Sequence, residues 1–394
     1  MAEGAPHFPE VRYRERSTPA MVERHTAQHL RVRDTDPAPH RHALRGIDSM
    51  CRSQSVMKLR LLNLLACPTC GGELKLRDAE QDPACPEEIR TGELFCVSCE
   101  ARFPVSGGIP RLLPPSLSAV AERTSAAFGW QWQEFVELYD QYEAQFLDWI
   151  HPVEPEFFRD KVVLDAGCGN GRHAFYAATY GSREVVAMDL SEAVETAYAN
   201  VGKMPNAHVV QGDIYHPPFT RNAVGGPFDF VYSIGVLHHL PDPEAGFKSL
   251  VRFVRPGGAI FAWVYGHENN AIVHGFINPI RQNLTTRIRP SMLPIIAWPM
   301  ALMLHAAVKG VYRPLHSTRL FKKLPSRDYL HSLSSFSFRR NYNIVFDHLV
   351  APVAFYLRRD EFEGWFRHND LRDVRISWRN QNSWRGFGRV AETH

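Results

Sequence analysis

An acidic residue followed by three alternating glycines stands between two apolar runs of the chain. The first run, 162–164, leads into Asp165, and Gly167, Gly169 and Gly171 follow. Glycines at this spacing let the backbone turn tightly against a ligand before a helix begins, and a β-branched apolar run is typical of a buried parallel strand. The spacing differs from the G-x-G-x-x-G fingerprint that binds the pyrophosphate of a dinucleotide. The pattern therefore indicates a nucleoside cofactor of another kind.

The second apolar run, 185–188, ends in Asp189, eighteen residues after the last of these glycines. A carboxylate at the tip of the neighbouring strand can accept both ribose hydroxyls of a nucleoside. The two runs must then lie side by side in a parallel sheet, with their carboxyl ends at the same edge.

The segments that follow resemble, in order, the motifs of class I S-adenosylmethionine-dependent methyltransferases of the type 11 kind. They are 209–214, 228–234, 236–240, 250–258 and 259–264. The resemblance implies an α/β, Rossmann-like fold with a seven-stranded sheet that is mostly parallel and has an antiparallel last strand. The last two strands are expected only later, at 371–378 and 383–390.

The same resemblance implies the residues that hold S-adenosylmethionine. Asp165 and the glycine backbone would face its methionine part, Asp189 its ribose, and Asp213 with Ile214 its adenine. The full implied set is Asp165, Gly167, Cys168, Gly169, Gly171, Asp189, Leu190, Asp213, Ile214 and Ser233.

Four residues near the expected ends of strand four (228–234) and strand five (259–264) are candidates for a general base. They are His238, His239, Tyr265 and His267, with Asp347 and His348 as weaker candidates from further along the chain. A base helps where the methyl acceptor is a hydroxyl or an acidic carbon. The alternative is that the His-His pair is structural. The tip of strand four, 233–235, lacks the Asn/Asp-Pro-Pro-Tyr signature of enzymes that methylate planar amino groups, which disfavours that chemistry.

Two C-x2-C pairs, Cys67 with Cys70 and Cys96 with Cys99, have the spacing of a tetrahedral zinc site. Four thiolates leave no open position for chemistry, so the metal would be structural. Redox dithiols or free thiols fit the doubled pattern less well. Unpaired cysteines suit a reducing compartment, so a cytoplasmic location is expected.

The residues around these cysteines, 65–113, resemble a Trm112-like zinc ribbon. Such ribbons accompany methyltransferases as activating partners. A fused copy suggests a built-in stabiliser or a substrate guide. A ribbon of this size needs its metal in order to fold.

The formal net charge of +3 conceals two halves of opposite sign. Residues 57–267 carry 17 Lys and Arg against 26 Asp and Glu, whereas 268–394 carry 19 against 9. The basic half either contacts something anionic or has arginines on solvated helix faces.

Residues 1–56 contain nine arginines and seven acidic residues without hydrophobic periodicity. They are expected to be disordered, and they resemble neither a secretory signal nor a transit peptide.

The segment 292–308 is uncharged and strongly apolar, and Arg287, Arg289, Lys309 and Arg313 flank it. A buried lid helix is favoured, an interfacial surface is the alternative, and a membrane span is disfavoured by two prolines and a histidine. Both favoured cases imply an apolar substrate, and the interfacial surface would also make peripheral membrane contact through 287–313.

The aromatic-rich segment 128–149 either covers the cofactor cleft or packs in the core, with core packing slightly preferred.

These observations predict methyl transfer from S-adenosylmethionine to an oxygen, carbon or nitrogen atom of a small or lipid-like metabolite, with structural Zn²⁺ in the ribbon. The alternatives are an RNA methyltransferase, which would make nucleic acid the partner, and a non-catalytic zinc-ribbon scaffold. The predicted division is a disordered extension at 1–56 with Met57 as an alternative start, a zinc ribbon at 57–115, an aromatic-rich linker or cap at 116–160, a cofactor-binding core at 161–267, an apolar and basic lid at 268–345, and the final helix and strands at 346–394.

Overall fold

The computed structural model describes residues 56–392 except 83–84, 135–140, 224, 271–272, 286–287 and 289–291. The predictions made for residues 1–55, for Arg287 and for Arg289 therefore lie outside the described part of the chain.

A sheet with the predicted topology forms the centre of the described chain. Its strands are β6 (Val162–Ala166), β7 (Glu184–Asp189), β8 (Ala207–Gly212), β9 (Phe228–Ile234), β10 (Val254–Tyr265), β11 (Arg372–Arg379) and β12 (Ser383–Arg389). They lie in the order β8-β7-β6-β9-β10-β12-β11. Strands β6 to β10 are parallel, and β12 is antiparallel to both of its neighbours. The seven-stranded, mostly parallel sheet with an antiparallel last strand is confirmed.

Alternating side chains of these strands fill two cores, one on each face of the sheet. Leu164, Val186 and Val231 belong to one apolar cluster. Their neighbours Val163 and Phe230 belong to the other. Because successive side chains of a strand point to opposite faces, a strand buried on both faces must be apolar throughout, as β9 nearly is.

Ten helices are described around this sheet, together with shorter helical turns. They are α1 (Ala119–Glu134), α2 (Gln141–Ile150), α3 (Arg172–Thr179), α4 (Ala193–Val201), α5 (Pro243–Val251), α6 (Asn278–Asn283), α7 (Leu293–Ala307), α8 (Arg327–Leu333), α9 (Phe338–Val350) and α10 (Arg359–His368). A π-helical turn, Val308–Tyr312, and the turn Arg313–Leu315 continue α7. The predicted lid boundary at residue 345 falls inside α9, so the helical layer continues to Val350.

The N-terminal cysteine-containing segment extends the same sheet. Its strands are β1 (Met57–Lys58), β2 (Leu74–Asp82), β3 (Cys85–Cys96), β4 (Arg102–Ser106) and β5 (Ile109–Leu112). Strand β5 pairs in parallel with β8, which makes a sheet of twelve described strands. Pairing β8 in this way removes an exposed strand edge, which would otherwise be open to intermolecular pairing.

Polar contacts reinforce the junction between the N-terminal segment and the central sheet. Lys58 Nζ donates to the carbonyl oxygens of Gly202 and Ala207 at 2.9 Å each. Arg111 donates to Gln211 Oε1 at 3.1 Å. Apolar residues of both parts also share one buried cluster. The ribbon is thus packed as part of the central sheet's core.

Candidate functional site

The glycine turn after β6 lies where the strand order reverses, which is the usual ligand crevice of an open parallel sheet. Gly167 and Gly169 have φ values of +82° and +54°. A Cβ at Gly167 would lie 2.4 Å from Val236 Cγ2, and one at Gly169 would lie 2.9 Å from the Trp132 ring. Glycine is required at both positions, by conformation and by space.

Asp189 at the tip of β7 is held rigidly against this turn. Its Oδ2 accepts from Gly169 N at 2.9 Å, and its Oδ1 accepts from Ser191 N at 2.9 Å and Ser191 Oγ at 2.7 Å. Burial raises the pKa of its carboxyl, while the donors of Ser191 and Gly169 oppose that rise. A carboxylate has about four acceptor sites. The three donors leave about one acceptor site for a ribose hydroxyl, whereas the sequence-based prediction has both ribose hydroxyls bind to Asp189.

Asp165 at the end of β6 is buried, with 1% of its surface exposed. Neither carboxyl oxygen has a hydrogen-bond partner of good geometry among the described residues. Burial raises the pKa of this carboxyl to about 8, although Tyr232 lies beside it and lowers it. A buried carboxyl in this state is suited to a cationic ligand group. The ammonium of the methionine part of S-adenosylmethionine meets that requirement.

A cavity of about 240 Å³ opens between the glycine turn and the helices α1, α2, α8 and α9. Of the predicted cofactor residues, Gly167, Cys168, Gly169, Asp189, Leu190, Asp213 and Ile214 line it. Asp165, Gly171 and Ser233 do not line it. Ser233 is buried and donates its hydroxyl to Ala166 O at 2.8 Å, which makes its contribution a support of the glycine turn.

The cavity continues beyond the cofactor residues into a chamber that contains two of the four base candidates. His239 and Tyr265 line it, and the weaker candidates Asp347 and His348 line it with them. His238 is fully buried outside the lining, with its ring 4.0 Å from that of Tyr265. His267 is also outside the lining, and its ring packs on His274 at 4.8 Å.

The protonation of His239 follows from one contact. Its Nδ1 lies 2.7 Å from the carbonyl oxygen of Val353. A carbonyl only accepts, so Nδ1 must carry the proton. Burial lowers the pKa of this imidazole to about 4, although Asp347 raises it. The ring is therefore neutral near pH 7, with Nε2 unprotonated and able to accept a proton.

A hydrogen-bonded group connects strand β10 with helices α1 and α9 across the chamber. Tyr265 donates its hydroxyl to Asp347 Oδ2 at 2.8 Å. Gln131, which is fully buried, donates to Asp347 Oδ1 and to Asn343 Oδ1 at 3.1 Å each. Gln131 and Asn343 were not predicted from the sequence. The available signal was a polar residue between Trp130 and Trp132 in an otherwise apolar segment.

Three arginines give this chamber a positive wall. Arg172 and Arg340 lie over the Tyr142 ring at 5.2 and 5.3 Å, and Arg172 also lies 5.0 Å from the Trp149 ring. Arg379 approaches the same Trp149 ring at 5.4 Å. Burial lowers the pKa of Arg340 to about 10, and the charges of Arg172 and Arg379 add to the effect. The wall suits an anionic ligand group.

Some residues of the aromatic segment 128–149 cover the cleft, and others pack in the core. Phe128, Trp132, Tyr142 and Trp149 line the cavity. Phe146 from the same helical layer is fully buried in the core. The slight preference for core packing therefore describes only one face of the layer, and the other face covers the cleft.

The four predicted zinc ligands meet at one point. The Sγ atoms of Cys67, Cys70, Cys96 and Cys99 all lie within 4.8 Å of one another. Sγ to Sγ distances are 3.6 Å for Cys67 to Cys99 and 3.5 Å for Cys70 to Cys96. Tetrahedral Zn–S bonds of about 2.3 Å require an S–S separation of about 3.8 Å. The cluster fits structural zinc, with all four positions filled by protein.

Two family models match the chain. Residues 164–262 match the model of a methyltransferase domain, and residues 58–108 match the model of a Trm112p-like protein. The first match covers the glycine turn and strands β7 to β9, and the second covers all four cysteines.

Curated relatives match part of the chain only. Tocopherol O-methyltransferase, chloroplastic, of Arabidopsis thaliana is 31% identical over 140 residues, which is 34% of this chain and 39% of that protein. A tRNA U34 carboxymethyltransferase of Aliarcobacter butzleri is 31% identical over 111 residues, which is 27% of this chain and 35% of that protein. The chain thus spans well under two thirds of the length of these relatives.

Among solved structures, a complex of the Haloferax volcanii Trm112 methyltransferase activator with a methyltransferase aligns at 15% identity and a TM-score of 0.38. It covers 68% of this chain and 99% of that chain. A DhpI complex with S-adenosylhomocysteine (SAH) aligns at 12% identity and a TM-score of 0.42. The alignment covers 71% of this chain and 100% of that chain.

The sheet topology, the glycine turn and the family matches define an S-adenosylmethionine-dependent methyltransferase domain of class I. The chain combines this domain with a Trm112-like zinc ribbon at its N-terminal side.

Proposed function

We propose that the chain transfers a methyl group from S-adenosylmethionine to a small or lipid-like acceptor held in the chamber beyond the cofactor site. The supporting observation is that one cavity joins the glycine turn and Asp189 to His239, Tyr265 and the lid helices. Cofactor and acceptor can therefore meet in a space enclosed by aromatic side chains. Enclosure matters because it keeps water from the reacting atoms.

Residues on the two sides of that space would have different roles. Bound S-adenosylmethionine supplies a methyl group already activated by its sulfonium, so the protein must mainly align the acceptor. Asp189 would hold the ribose, and Asp165, which is buried outside the cavity lining, would attract the methionine ammonium through its charge. His239 would accept the acceptor's proton at Nε2, since its Nδ1 donates to Val353 O. Tyr265, fixed by Asp347, would orient the acceptor.

The arginine wall indicates that the acceptor is anionic. Arg340 belongs to α9 and Arg379 to β11, and neither element forms the glycine turn. Arg172 lies next to that turn, where the methionine carboxylate of the cofactor would be its partner. Arg340 and Arg379, the second of which already pairs with Asp148 at 2.6 Å, would then face a carboxylate or phosphate of the acceptor. Burial is the main cause of the lowered pKa of Arg340, and an anion would relieve the repulsion from Arg172 and Arg379 that adds to it.

Transfer of labelled methyl from S-adenosylmethionine into a host extract tests the function. The products are separated into lipid, small-molecule, RNA and protein fractions, and Asp189→Ala is the control for cofactor binding. Label in the lipid or small-molecule fraction that is lost in Asp189→Ala supports the proposal. Label in RNA would overturn it and favour the activity suggested by the tRNA-modifying relatives.

Arg340→Gln and Arg339→Gln form a matched pair for the acceptor's charge. Both variants lose one positive charge on α9, but Arg339 does not line the cavity. Arg340→Gln should lower acceptor labelling at least about tenfold with unchanged cofactor affinity, because a charge-assisted hydrogen bond contributes about 1.5–3 kcal/mol. Equal effects of the two variants would contradict a role in acceptor binding.

The zinc ribbon has a supporting role in this proposal. It covers the β8 edge and fixes the strand that leads to Asp213. We infer that it stabilises the cofactor half of the sheet and takes no part in the chemistry.

A further inference from the structure

The helix α7 and its continuation to Leu315 carry apolar residues on the side that faces away from the protein as well as on the packed side. The side facing the protein carries Leu293, Ala297 and Ala301, which pack against α9. The side facing away carries large apolar residues. They are Met292, Ile295, Trp298, Leu302, Met303 and Val311, between 41% and 73% exposed. A helix that packs on a soluble core normally presents polar residues outward.

Length and composition alone would allow the helix Leu293–Leu315 to cross a membrane. Only 22% of its most apolar 18-residue stretch is buried in the protein. It does not have the surroundings of a span. One side is fixed to α9 through Val345 and Phe346, and Pro299 lies within it. An exposed apolar side on a helix anchored to a globular core has the geometry of interfacial contact.

The charge around this apolar side is of one sign. Between Glu268 and Asp328 the sequence contains nine Lys and Arg residues and no Asp or Glu. Lys309 and Arg313 follow α7 directly, and the exposed Lys322 and Lys323 lie in the next helical turn. Basic residues bordering exposed Trp, Leu and Ile are complementary to anionic headgroups above an acyl layer.

We propose that this surface, defined by the apolar residues 292–311 and the basic residues 309–323, docks the protein on a bilayer that contains anionic lipid. Ile295 and Trp298 would enter the headgroup boundary, and Lys322 with Lys323 would bind phosphates. Helix α9 packs on α7 through Phe346 and contributes Asp347 to the cavity lining. The docking surface therefore lies one helix away from the acceptor chamber.

Co-sedimentation of the full chain with vesicles tests the docking without any assumption about methyl transfer. Vesicles of phosphatidylcholine alone are compared with vesicles of phosphatidylcholine and phosphatidylglycerol in equal amounts. The wild-type chain should sediment with the anionic vesicles and much less with the neutral ones. Trp298→Glu combined with Ile295→Glu should lower the bound fraction at least about tenfold, because two large apolar groups are lost from the interface.

Val374→Glu is the control, since Val374 is 36% exposed and lies on β11, at the end of the sheet's strand order. It should sediment like the wild type. Lys322→Glu with Lys323→Glu is a second variant on an exposed turn, and it should weaken binding to anionic vesicles only. An unchanged thermal unfolding midpoint shows that each variant is folded.

Three results would overturn the docking proposal. The first is no sedimentation of the wild type with anionic vesicles. The second is equal sedimentation of the wild type and the Ile295 and Trp298 double variant. The third is a concentration-dependent dimer that this double variant dissociates, without vesicle binding, which would assign the face to a second copy of the chain. Methyl transfer is measured separately, so its failure is distinguishable from these outcomes.

Discussion

The hydroxyl of Tyr265 at the end of β10 donates to Asp347 Oδ2 on α9 at 2.8 Å, across 82 residues of sequence. This hydrogen bond joins the catalytic sheet to the lid layer at the acceptor chamber. Both side chains are half-buried, and the Tyr265 ring packs beside the rings of His239 and Tyr356. A hydrogen bond to a carboxylate in such surroundings is stronger than one in water, and it fixes the position of the phenol.

A double-mutant cycle on this pair should give a positive coupling energy. Tyr265→Phe and Asp347→Asn each remove part of the bond, and their effects on the free energy of unfolding should be non-additive by about 1–2 kcal/mol. Urea unfolding of the wild type, both single variants and the double variant measures this. Additive effects would show that the contact does not hold the lid to the sheet.

Replacement of His239 by Gln should lower kcat by about 10²–10⁴ if this residue is the general base. His267→Gln is the matched control, because His267 does not line the cavity. The two variants are compared at equal saturation with S-adenosylmethionine, using the extract fraction that is labelled by the wild type. Equal rates for His239→Gln and wild type would exclude the base role.

The titration of His239 also predicts a pH dependence of stability. Its pKa is lowered by burial to about 4 in the folded protein. The unfolded value is about 6.5. Since the folded state disfavours the proton, the contribution is present above about pH 6.5 and is lost as pH falls toward 4. Unfolding midpoints of His239→Gln between pH 4 and 7 should therefore fall less steeply than those of the wild type.

Asp165→Asn should stabilise the cofactor-free protein at pH 8 by at least about 1 kcal/mol, because the buried carboxyl would no longer ionise. Burial raises its folded pKa to about 8 from 3.8, so its stabilising contribution is complete below pH 3.8 and is lost as pH rises toward 8. The same variant should bind S-adenosylmethionine at least about tenfold more weakly, since the partner of the ammonium loses its charge.

Asp160→Asn serves as the control for Asp165, because Asp160 is exposed and precedes β6. Calorimetric titration with the cofactor and thermal unfolding at pH 5 and pH 8 measure both effects. A variant that gains stability at pH 8 but binds the cofactor normally would refute the assignment of Asp165 to the methionine ammonium.

Removal of the metal should destabilise the catalytic sheet as well as the ribbon, since β5 is hydrogen-bonded to β8. Cys70→Ser, or treatment with a strong zinc chelator, should lower the unfolding midpoint by about 5 °C or more and reduce cofactor affinity. Val97→Ala changes an exposed residue within the second cysteine pair and should leave both quantities unchanged. Zinc content is measured by atomic absorption. A zinc-free protein with normal stability would contradict the structural role.

Local motifs in the sequence determined the class of the domain and the metal cluster. Positive φ at Gly167 and Gly169 and the paired C-x2-C turns depend on residues that are neighbours in the chain, so their spacing carries the information. The apolar runs likewise predicted the strands, because a strand buried on both faces must be apolar, and the family resemblance implied their order.

Only the tertiary structure decided the composition of the acceptor chamber. The sequence nominated four bases with equal weight, and packing placed His239 and Tyr265 in the cavity while burying His238 elsewhere. The tautomer of His239 depends on Val353, 114 residues away. The arginine wall joins residues from α3, α9 and β11. Such contacts join residues far apart in the chain, and their geometry is set by how helices and sheet pack rather than by local spacing.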